Sequence, residues 1–303
     1  YDIQRRDVGL VLYLVDASVY VFRAYYSIPD SMTDRDGRPV NALYGFAGFL
    51  VDLLRDARPE HMAVAFDESL TSSYRNEIYP PYKANRELPP QDLEYQFGLC
   101  RQLTRALGLV DLASEMYEAD DIIATLALQY RERGLNSVIV TRDKDLAQVL
   151  RRGDTFWDFA GRRRIGYEQV AEVFGVRAEQ IADYLALAGD SVDNIPGVPG
   201  VGAKTAAALL QRFDDLDAIY AELDQVLEVP VRGAARVRER LAAHRDDAYL
   251  ARRLTRVHEE VPLDLPSTGL AVGAPDFDAL EALFAAADFG TALRRRVRQL
   301  APS

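Results

Sequence analysis

Short apolar runs and longer amphipathic segments alternate through the first half of the chain. Residues 10–15, 62–66 and 137–140 are apolar runs of strand length, and segments such as 43–54 have helical periodicity. Strands that alternate with helices form mostly parallel sheets with helices packed on their faces. The pattern therefore predicts an α/β fold built on a mostly parallel sheet.

The second half of the chain follows a different pattern. A hairpin is predicted around Trp157, and helical periodicity dominates from about residue 176 to residue 254. Residues 262–275 contain prolines and glycines and are predicted to form a loop. The last stretch, 276–300, is helical, and its arginine run at 294–296 is typical of a solvent-exposed last turn. These patterns divide the chain into three parts, namely 1–175, 176–267 and 268–303.

Acidic residues follow the ends of the three predicted strands, at Asp16, Asp67 and Asp143. The carboxyl ends of parallel strands share one edge of a sheet, where ligands bind. A single aspartate at such a place is commonly a turn or cap residue. Three of them, together with further acidic clusters, favour a site for hard cations. The further candidate acids are Glu118, Asp120, Asp121, Asp145, Asp190 and Asp193.

A glycine hairpin, residues 195–204, follows Asp190 and Asp193 and leads into an apolar helix. The free N–H groups at a helix start bind phosphate, and glycines at 200 and 202 would let a nucleic-acid backbone approach closely. Taken alone, such a segment is an ordinary turn. Metal ligands beside a phosphate site indicate an enzyme that cuts phosphodiesters.

The net charge of −11 argues against a nucleic-acid partner until the acids are located. Without the nine candidate acids, the formal charge would be −2. Nine carboxylates in one cleft repel one another unless cations compensate, and two Mg²⁺ ions would do so. The histidines at 61, 244 and 258 lie outside the acidic clusters, which argues against a histidine base and a histidine-rich zinc site.

The cysteine content and the lengths of the apolar runs bear on the compartment. Cys100 is the single cysteine, so an internal disulfide is excluded and a reducing cytoplasm fits. It lies in an apolar helical pattern and is predicted to be a core residue. No apolar run has membrane-spanning length, and no secretory signal is visible. A cytoplasmic protein is therefore expected, with a monomer as the default.

Residues 72–90 form a weakly apolar segment in which basic residues and tyrosines are interleaved. Prolines at 80, 81, 89 and 90 argue against one continuous helix. Long, weakly structured insertions of this kind are often functional. Its basic residues are Arg75, Lys83 and Arg86.

Six ordered motifs resemble the bacterial 5′-nuclease family, which includes the 5′→3′ exonuclease domain of DNA polymerase I and the flap endonucleases. The motifs are YLVDAS at 13–18, AFD at 65–67, YPPYKANR at 79–86, YEADD at 117–121, TRDKD at 141–145 and GDSVDNIPGVPGVGAKTA at 189–206. The resemblance covers residues 10–265, and the tail after Gly269 matches only loosely. It implies a PIN-like α/β nuclease core, a helical arch at about 72–90 and a C-terminal helix–hairpin–helix region.

The resemblance also implies two Mg²⁺ ions, for which Mn²⁺ substitutes, and K⁺ on the carbonyl groups of the glycine hairpin. The first metal would be held by Asp16, Asp67, Glu118 and Asp120, and the second by Asp143, Asp145, Asp190 and Asp193. Asp121 would lie in or near the shared shell, with a catalytic role. Arg75, Lys83 and Arg86 would contact the scissile phosphate, with Lys83 and Arg75 catalytic.

DNA contacts are implied at the first helix and at the hairpin. Phe22 would stack on a base, although it also fits an ordinary core aromatic; bases tolerate any aromatic face. The implied DNA-binding residues are Phe22, Arg23, Arg86, Gly197, Gly200, Gly202, Lys204 and Thr205. Arg142 stands where relatives commonly have a small residue, and either a phosphate contact or a solvent-facing position is open to it.

The predicted function is a Mg²⁺-dependent, structure-specific 5′ nuclease in DNA replication and repair. It would act on DNA 5′ flaps, nicks and 5′ ends, including RNA primers on DNA, and leave 5′-phosphates. Its partners would be DNA and a DNA polymerase, in the bacterial cytoplasm at the nucleoid. A stand-alone nuclease and a domain of a polymerase are both compatible. The alternatives are a non-catalytic DNA-junction binder and a PIN-like single-strand RNase.

Overall fold

The computed structural model describes residues 10–68, 73–87 and 89–300. Its centre is a six-stranded sheet of order β3-β2-β1-β4-β5-β6, in which only β6 runs antiparallel to its neighbour. The strands are β1 Val11–Asp16, β2 His61–Asp67, β3 Val110–Ser114, β4 Asn136–Val140, β5 Thr155–Asp158 and β6 Arg163–Gly166. The predicted mostly parallel sheet is confirmed, as is the hairpin around Trp157.

Strand β3 is the part of the sheet that the apolar pattern did not predict. Its sequence, VDLAS, contains Asp111 and Ser114, and only Leu112 is fully buried. The strand lies at the edge of the sheet and pairs only with β2. An edge strand that buries one residue lacks the continuous apolar run that marks a central strand.

The helices of the described residues cover both faces of the sheet and form most of the second half. None of these described helices combines the length and apolar content needed to cross a membrane. They are α1 Ala17–Ser27, α2 Asn41–Ala57, α3 Tyr74–Ile78, α4 Gln91–Ala106, α5 Ala119–Glu132, α6 Val170–Phe174, α7 Ile181–Ala188, α8 Ala203–Arg212, α9 Leu216–Ala221, α10 Ala234–Ala243, α11 Arg245–Thr255, α12 Phe277–Ala286 and α13 Thr291–Arg298.

The central strands are mostly apolar because both of their faces are buried. Leu12 and Leu14 of β1 pack into one core with α5 and the helical second half. Val15 of β1 and Phe66 of β2 pack into the other core, with α1, α2 and α4. Cys100 belongs to this second core and is fully buried, which confirms the prediction of a core residue. The two cores hold the carboxyl edge of the sheet in place.

The helical second half contains a helix–hairpin–helix unit formed by α7, the glycine hairpin and α8. Asp190 and Ile195 form an antiparallel bridge at the base of its loop. Val198 and Val201 are buried in the core on the α5 side. The hairpin is therefore fixed to the sheet layer by its own apolar side chains.

As its prolines predicted, the arch segment, residues 72–90, does not form one continuous helix. Helix α3 covers only five residues and is followed by turns through residue 85. Residues 72 and 88 lie outside the described part of the chain. The turns are held against the hairpin loop, because the Lys83 N–H donates to the carbonyl of Asp193 at 2.9 Å.

The C-terminal helices pack into the sheet layer. Leu280, Phe284 and Val297 are buried in the core that contains α2 and α4. The prediction that the arginines of the last turn only face solvent is wrong for Arg296. Its guanidinium lies 2.7 Å from Asp52 and donates to the carbonyl of Gly48, both on α2. The charge of this last turn serves an inter-helix ion pair.

Candidate active site

The strand-end aspartates meet at the carboxyl edge of the sheet, as the parallel pattern requires. Asp16 and Asp67 are the last residues of β1 and β2, and Asp143 follows β4 by three residues. The side chain of Asp16 also caps α1, where it accepts from the Val19 N–H. The Asp67 carboxylate accepts from the Ala119 N–H at 2.9 Å, which connects β2 to the start of α5.

One cavity of about 290 Å³ gathers the candidate metal ligands. We call it the acidic cavity. Its acidic lining residues are Asp16, Asp67, Glu118, Asp120, Asp143, Asp145, Asp190 and Asp193. All eight predicted metal ligands therefore come together, from strand ends, the start of α5 and the segment after α7.

Burial and mutual repulsion dominate the electrostatics of the acidic cavity. Burial, followed by the charge of Asp67, raises the pKa of Asp16 to about 7. Burial, followed by the charge of Asp143, raises the pKa of Asp145 to about 7. The pKa of Asp120 is raised well above its usual range by burial and then by Asp143 and other acids. Such carboxylates are stabilised by any cation that enters the cavity.

The donor set fits a hard divalent cation, because every acidic ligand candidate offers carboxylate oxygen. Within the described ranges, no group of three or more His, Cys, Asp or Glu side chains has the arrangement of a metal site. Close approach of unprotonated carboxylates is costly without a cation. The chemistry of these side chains therefore fits a divalent cation, and the assignment of the acids as its ligands stays a prediction.

Basic side chains of the arch segment lie over two of these acids. The ammonium group of Lys83 is 2.9 Å from Oε1 of Glu118 and 3.8 Å from Oδ2 of Asp193. Arg86 forms an ion pair with Asp193. Burial of Lys83 opposes its charge, but Glu118 and Asp193 outweigh this and raise its pKa. Lys83 and Arg86 thus bring positive charge to the acidic cavity, and their contact with the scissile phosphate stays a prediction.

Tyr82 is a site residue that the sequence analysis missed. Its hydroxyl lies 3.1 Å from Oε2 of Glu118 and 3.2 Å from Oδ2 of Asp193, so it can donate to either carboxylate. It thereby joins acids of the two predicted metal groups. The available signal was its position between two prolines and Lys83, where a buried tyrosine needs a partner for its hydroxyl.

Arg75, another predicted phosphate contact, lines the acidic cavity and makes several contacts with protein groups. Its guanidinium makes a two-pronged ion pair with Asp121, at 2.7 and 2.8 Å, and a longer bond to Glu118. It also donates to the carbonyls of Leu254 and Arg256. All five guanidinium N–H donors have partners. Arg75 therefore lines the acidic cavity with its donors engaged by protein groups, and its predicted catalytic contact with the scissile phosphate stays a prediction.

Asp121 was predicted to lie in or near the shared metal shell with a catalytic role, and that role stays a prediction. Its carboxylate is fully buried and outside the lining of the acidic cavity. Besides Arg75, it accepts from the N–H groups of Glu118 and His258, at 3.1 and 2.8 Å. Asp121 therefore ties α5 to the arch segment and to the chain after α11, instead of facing the cavity.

The two DNA-binding candidates on α1 have different surroundings. Phe22 is half-buried and lines the acidic cavity, with its ring edge-on to Phe97 at 5.6 Å. Arg23 is exposed and lies outside the cavity lining. Phe22 thus meets the site with part of its ring accessible, whereas Arg23 faces solvent.

The hairpin glycines serve different needs. A Cβ at Gly197 would overlap the backbone of Ala188 and Gly189, so this glycine closes the hairpin instead of opening it to DNA. The DNA-binding role that the resemblance implies for Gly197 stays a prediction. Gly202 has open space around it and precedes the first turn of α8. Lys204 in that turn is exposed and Thr205 is half-buried.

Arg240 of α10 is a further residue that the sequence analysis missed. A Cβ at Gly200 would coincide with the Arg240 guanidinium and lie 3.2 Å from its Nε. The missing side chain at Gly200 therefore leaves room for the guanidinium of an arginine that is 40 positions away in sequence. No local pattern connects the two, because α10 reaches the hairpin only through the tertiary fold.

Buried hydroxyls position the strand-end acids. The Thr141 hydroxyl donates to Oδ2 of Asp16 at 2.8 Å and accepts from the Asp143 N–H at 2.9 Å. Ser18 accepts from the Asp67 N–H at 3.3 Å. These hydroxyl contacts hold Asp16 and Asp143 toward the same space.

Arg142 is half-exposed and lies 3.6 Å from Asp158, outside the cavity lining.

An acidic cavity at the carboxyl edge of a parallel sheet, beside a helix–hairpin–helix unit, defines a nuclease. A family model described as the 5′-3′ exonuclease N-terminal resolvase-like domain matches residues 11–175. A second, described as the 5′-3′ exonuclease C-terminal SAM fold, matches residues 176–278. The chain belongs to the 5′-3′ exonuclease family.

Curated relatives of the chain are named DNA polymerase I. The chain is 40% identical to that of Rhizobium leguminosarum over 298 residues, which covers 96% of the chain and 29% of the relative. It is 35% identical to that of Bacillus subtilis over 293 residues, covering 94% and 32%. The chain thus spans about a third or less of the length of these relatives.

Solved structures share the fold. A T5 5′-exonuclease described with bound divalent metal ions (zinc) has a TM-score of 0.64 and 21% identity, with coverage of 96% of this chain and 98% of that one. The catalytic core of Rad2 in complex with DNA substrate has a TM-score of 0.63 and 16% identity, with coverage of 96% and 92%. The predicted fold class is confirmed by these similarities.

Proposed function

We propose that the chain is a Mg²⁺-dependent, structure-specific 5′ nuclease that hydrolyses DNA at 5′ flaps and 5′ ends and leaves 5′-phosphates. The observation that carries the proposal is the gathering of eight carboxylates in one cavity beside the hairpin. A protein that only bound DNA would gain nothing from this repulsive cluster. Membership of the 5′-3′ exonuclease family supports the same activity.

The eight acids of the cavity are the proposed ligands of two Mg²⁺ ions, in the two groups of four that the sequence analysis assigned. When bound, such ions supply an activated water and neutralise charge on the attacking and leaving oxygens. Mn²⁺ is the proposed substitute. The T5 5′-exonuclease described with divalent metal ions supports metal dependence of this kind.

The residues of the chain itself position the substrate and complement its charge. Lys83 and Arg86 are the cations that enter the acidic cavity from the arch segment. A phosphate that arrives there can replace Glu118 and Asp193 as the partner of these two cations. Phe22 offers a partly accessible ring at the cavity for stacking on a base. Arg75 and Asp121 hold the base of the arch in position.

The helix–hairpin–helix unit is the proposed grip on duplex DNA. Gly202 leaves the backbone at the start of α8 open, and Lys204 is exposed beside it. Backbone and lysine contacts with phosphates are independent of base sequence. K⁺ on the hairpin carbonyls belongs to this proposal. The Rad2 structure with DNA substrate has the same fold, which supports DNA as the partner.

The proposed biological role is removal of primer or flap strands during replication and repair. Support comes from the relatives named DNA polymerase I, of which this chain matches about a third or less. A DNA polymerase is accordingly the proposed partner, either in the same polypeptide or as a separate protein.

One assay separates this function from the two alternatives. Labelled 5′-flap DNA, blunt duplex DNA and single-stranded RNA are incubated with the protein in Mg²⁺ or in EDTA. The proposal expects 5′-phosphate products from the flap in Mg²⁺ only. Binding without cleavage would establish a junction binder, and cleavage confined to the RNA would establish a single-strand RNase.

A further inference from the structure

Two arginines of α10 lie on one side of this helix, and one of them, Arg240, lies against the glycine hairpin. Arg236 and Arg240 are four residues apart, so they occupy the same helix face. The guanidinium of Arg240 rests on Gly200, as the space at that glycine shows. The face formed by Arg236 and Arg240 is here called the α10 arginine face.

The α10 arginine face has no acidic partner within the part of the chain that the structure describes. Two other arginines of the helical region do have one: Arg238 lies 2.7 Å from Asp224, and Arg252 lies 2.8 Å from Asp217. The chain carries 47 acidic against 36 basic residues, so a shortage of acids does not explain the difference. An arginine pair without a carboxylate partner keeps its donors free for an external anion.

The position of Arg240 is held by the core on both sides. Val237 and Leu241 anchor α10, and Val198 and Val201 anchor the hairpin, all in the same apolar core. Gly200 has φ of +77°, which disfavours other residues, and a Cβ there would displace the guanidinium. The arginine is therefore presented beside the exposed hairpin backbone in a defined place.

We propose that Arg240, assisted by Arg236, is a phosphate-binding site that extends the grip of the hairpin along the backbone of duplex DNA. The planar guanidinium binds two phosphate oxygens at once. The contact lies outside the α7–hairpin–α8 unit and adds at least one phosphate to its footprint. It rests on the proposed function, in which the hairpin binds duplex DNA.

The first test measures the affinity for a 5′-flap DNA as a function of salt, with Ca²⁺ in place of Mg²⁺ so that the DNA stays intact. Arg240→Ala should weaken binding about tenfold and flatten the log–log salt slope by about one. Arg240→Lys should restore the slope more than the affinity. Arg238→Ala, on the same helix but paired with Asp224, is the matched control and should keep the slope of the parent.

The second test measures the energetic coupling between Arg240 and Gly200. Gly200→Ala should weaken binding in the parent but have a much smaller effect in the Arg240→Ala background, because the arginine to be displaced is gone. Thermal unfolding of each variant shows whether it is folded. Equal effects of Gly200→Ala in the two backgrounds, with folded variants, would overturn the proposal that Gly200 positions Arg240 for binding.

These results separate the inference from the proposed function. A parent protein that binds and cleaves flap DNA, together with an Arg240→Ala variant that keeps the parent salt slope, overturns the arginine site alone. A parent that neither binds nor cleaves flap DNA in Mg²⁺ overturns the proposed function.

Discussion

The guanidinium of Arg75 and the carboxylate of Asp121 form a two-pronged ion pair, at 2.7 and 2.8 Å, in the interior of the protein. Asp121 is fully buried and Arg75 is 3% exposed. The pair joins the arch segment to α5 directly beside the acidic cavity. Breaking a buried pair leaves one charge without compensation, which costs far more than loss of an exposed pair.

Asp121→Asn should therefore destabilise the protein by about 3–5 kcal/mol. Urea unfolding followed by circular dichroism measures the change. The double variant Arg75→Met/Asp121→Leu should be less destabilised than Asp121→Asn, because no buried charge remains unpaired. Arg55→Ala, which breaks an exposed pair with Asp52, is the control and should change stability by less than about 1 kcal/mol. A loss of equal size in the control would contradict the assignment.

Asp193 adjoins the hairpin and lines the acidic cavity. Asp193→Asn should reduce cleavage of flap DNA to near background, because a proposed metal ligand is lost, while flap binding is largely retained. Single-turnover cleavage and binding in Ca²⁺ are measured side by side. If binding falls as much as cleavage, Asp193 has a structural role; cleavage at the parent rate rules out its proposed role entirely.

Lys83 lies 2.9 Å from Glu118 within the arch segment. Removing one preorganised electrostatic group from an active site typically costs ~10²–10³ in turnover. Lys83→Ala should lower single-turnover cleavage by that factor, with a much smaller effect on flap affinity. Lys83→Arg should retain only part of the activity, because a planar fork does not replace a compact ammonium. Cleavage by Lys83→Ala within about twofold of the parent would make this segment an ordinary loop.

The raised pKa values of Asp16 and Asp145, both about 7, predict the pH dependence of stability without metal. Between pH 4 and pH 7 the folded state holds protons at these groups that the unfolded state has lost. Their contribution to stability is therefore full below the unfolded pKa of 3.8 and is lost as pH rises through 7. Thermal unfolding in EDTA across this range measures the decline attributable to the cavity.

A divalent cation should reverse this loss, because it favours the ionised carboxylates. Mg²⁺ added at pH 7.5 should raise the melting temperature, and the effect should shrink toward pH 4.5, where protons compete with the cation. Asp120→Asn, which removes one repelling carboxylate, should raise the stability of the EDTA-treated protein at pH 7.5. A melting temperature insensitive to Mg²⁺ at pH 7.5 would contradict the cation site.

The C-terminal helices should contribute to the stability of the whole sheet layer. Phe284 of α12 is 1% exposed and packs in the core with α2 and α4. Phe284→Ala should cost about 3–5 kcal/mol. Phe277 on the same helix is 36% exposed, and Phe277→Ala should cost much less. Urea unfolding compares the two, and similar small losses would mean that the tail packs only loosely.

The sequence by itself determined the parallel sheet and the meeting of its acids. Side chains alternate across a strand and recur along a helix, so local periodicity reveals which segments are strands and which are helices. The carboxyl ends of parallel strands share one edge, so the strand pattern alone is enough to bring Asp16, Asp67 and Asp143 together. Motif resemblance added a catalytic role for Lys83.

Only the tertiary structure decided which distant groups satisfy one another. Arg75 meets Asp121 across 46 positions, and Arg240 meets Gly200 across 40. A buried guanidinium takes the partners that the packed segments bring within reach, and local periodicity does not encode that choice. The partners of the Arg75 guanidinium inside the protein were therefore visible only in the folded chain.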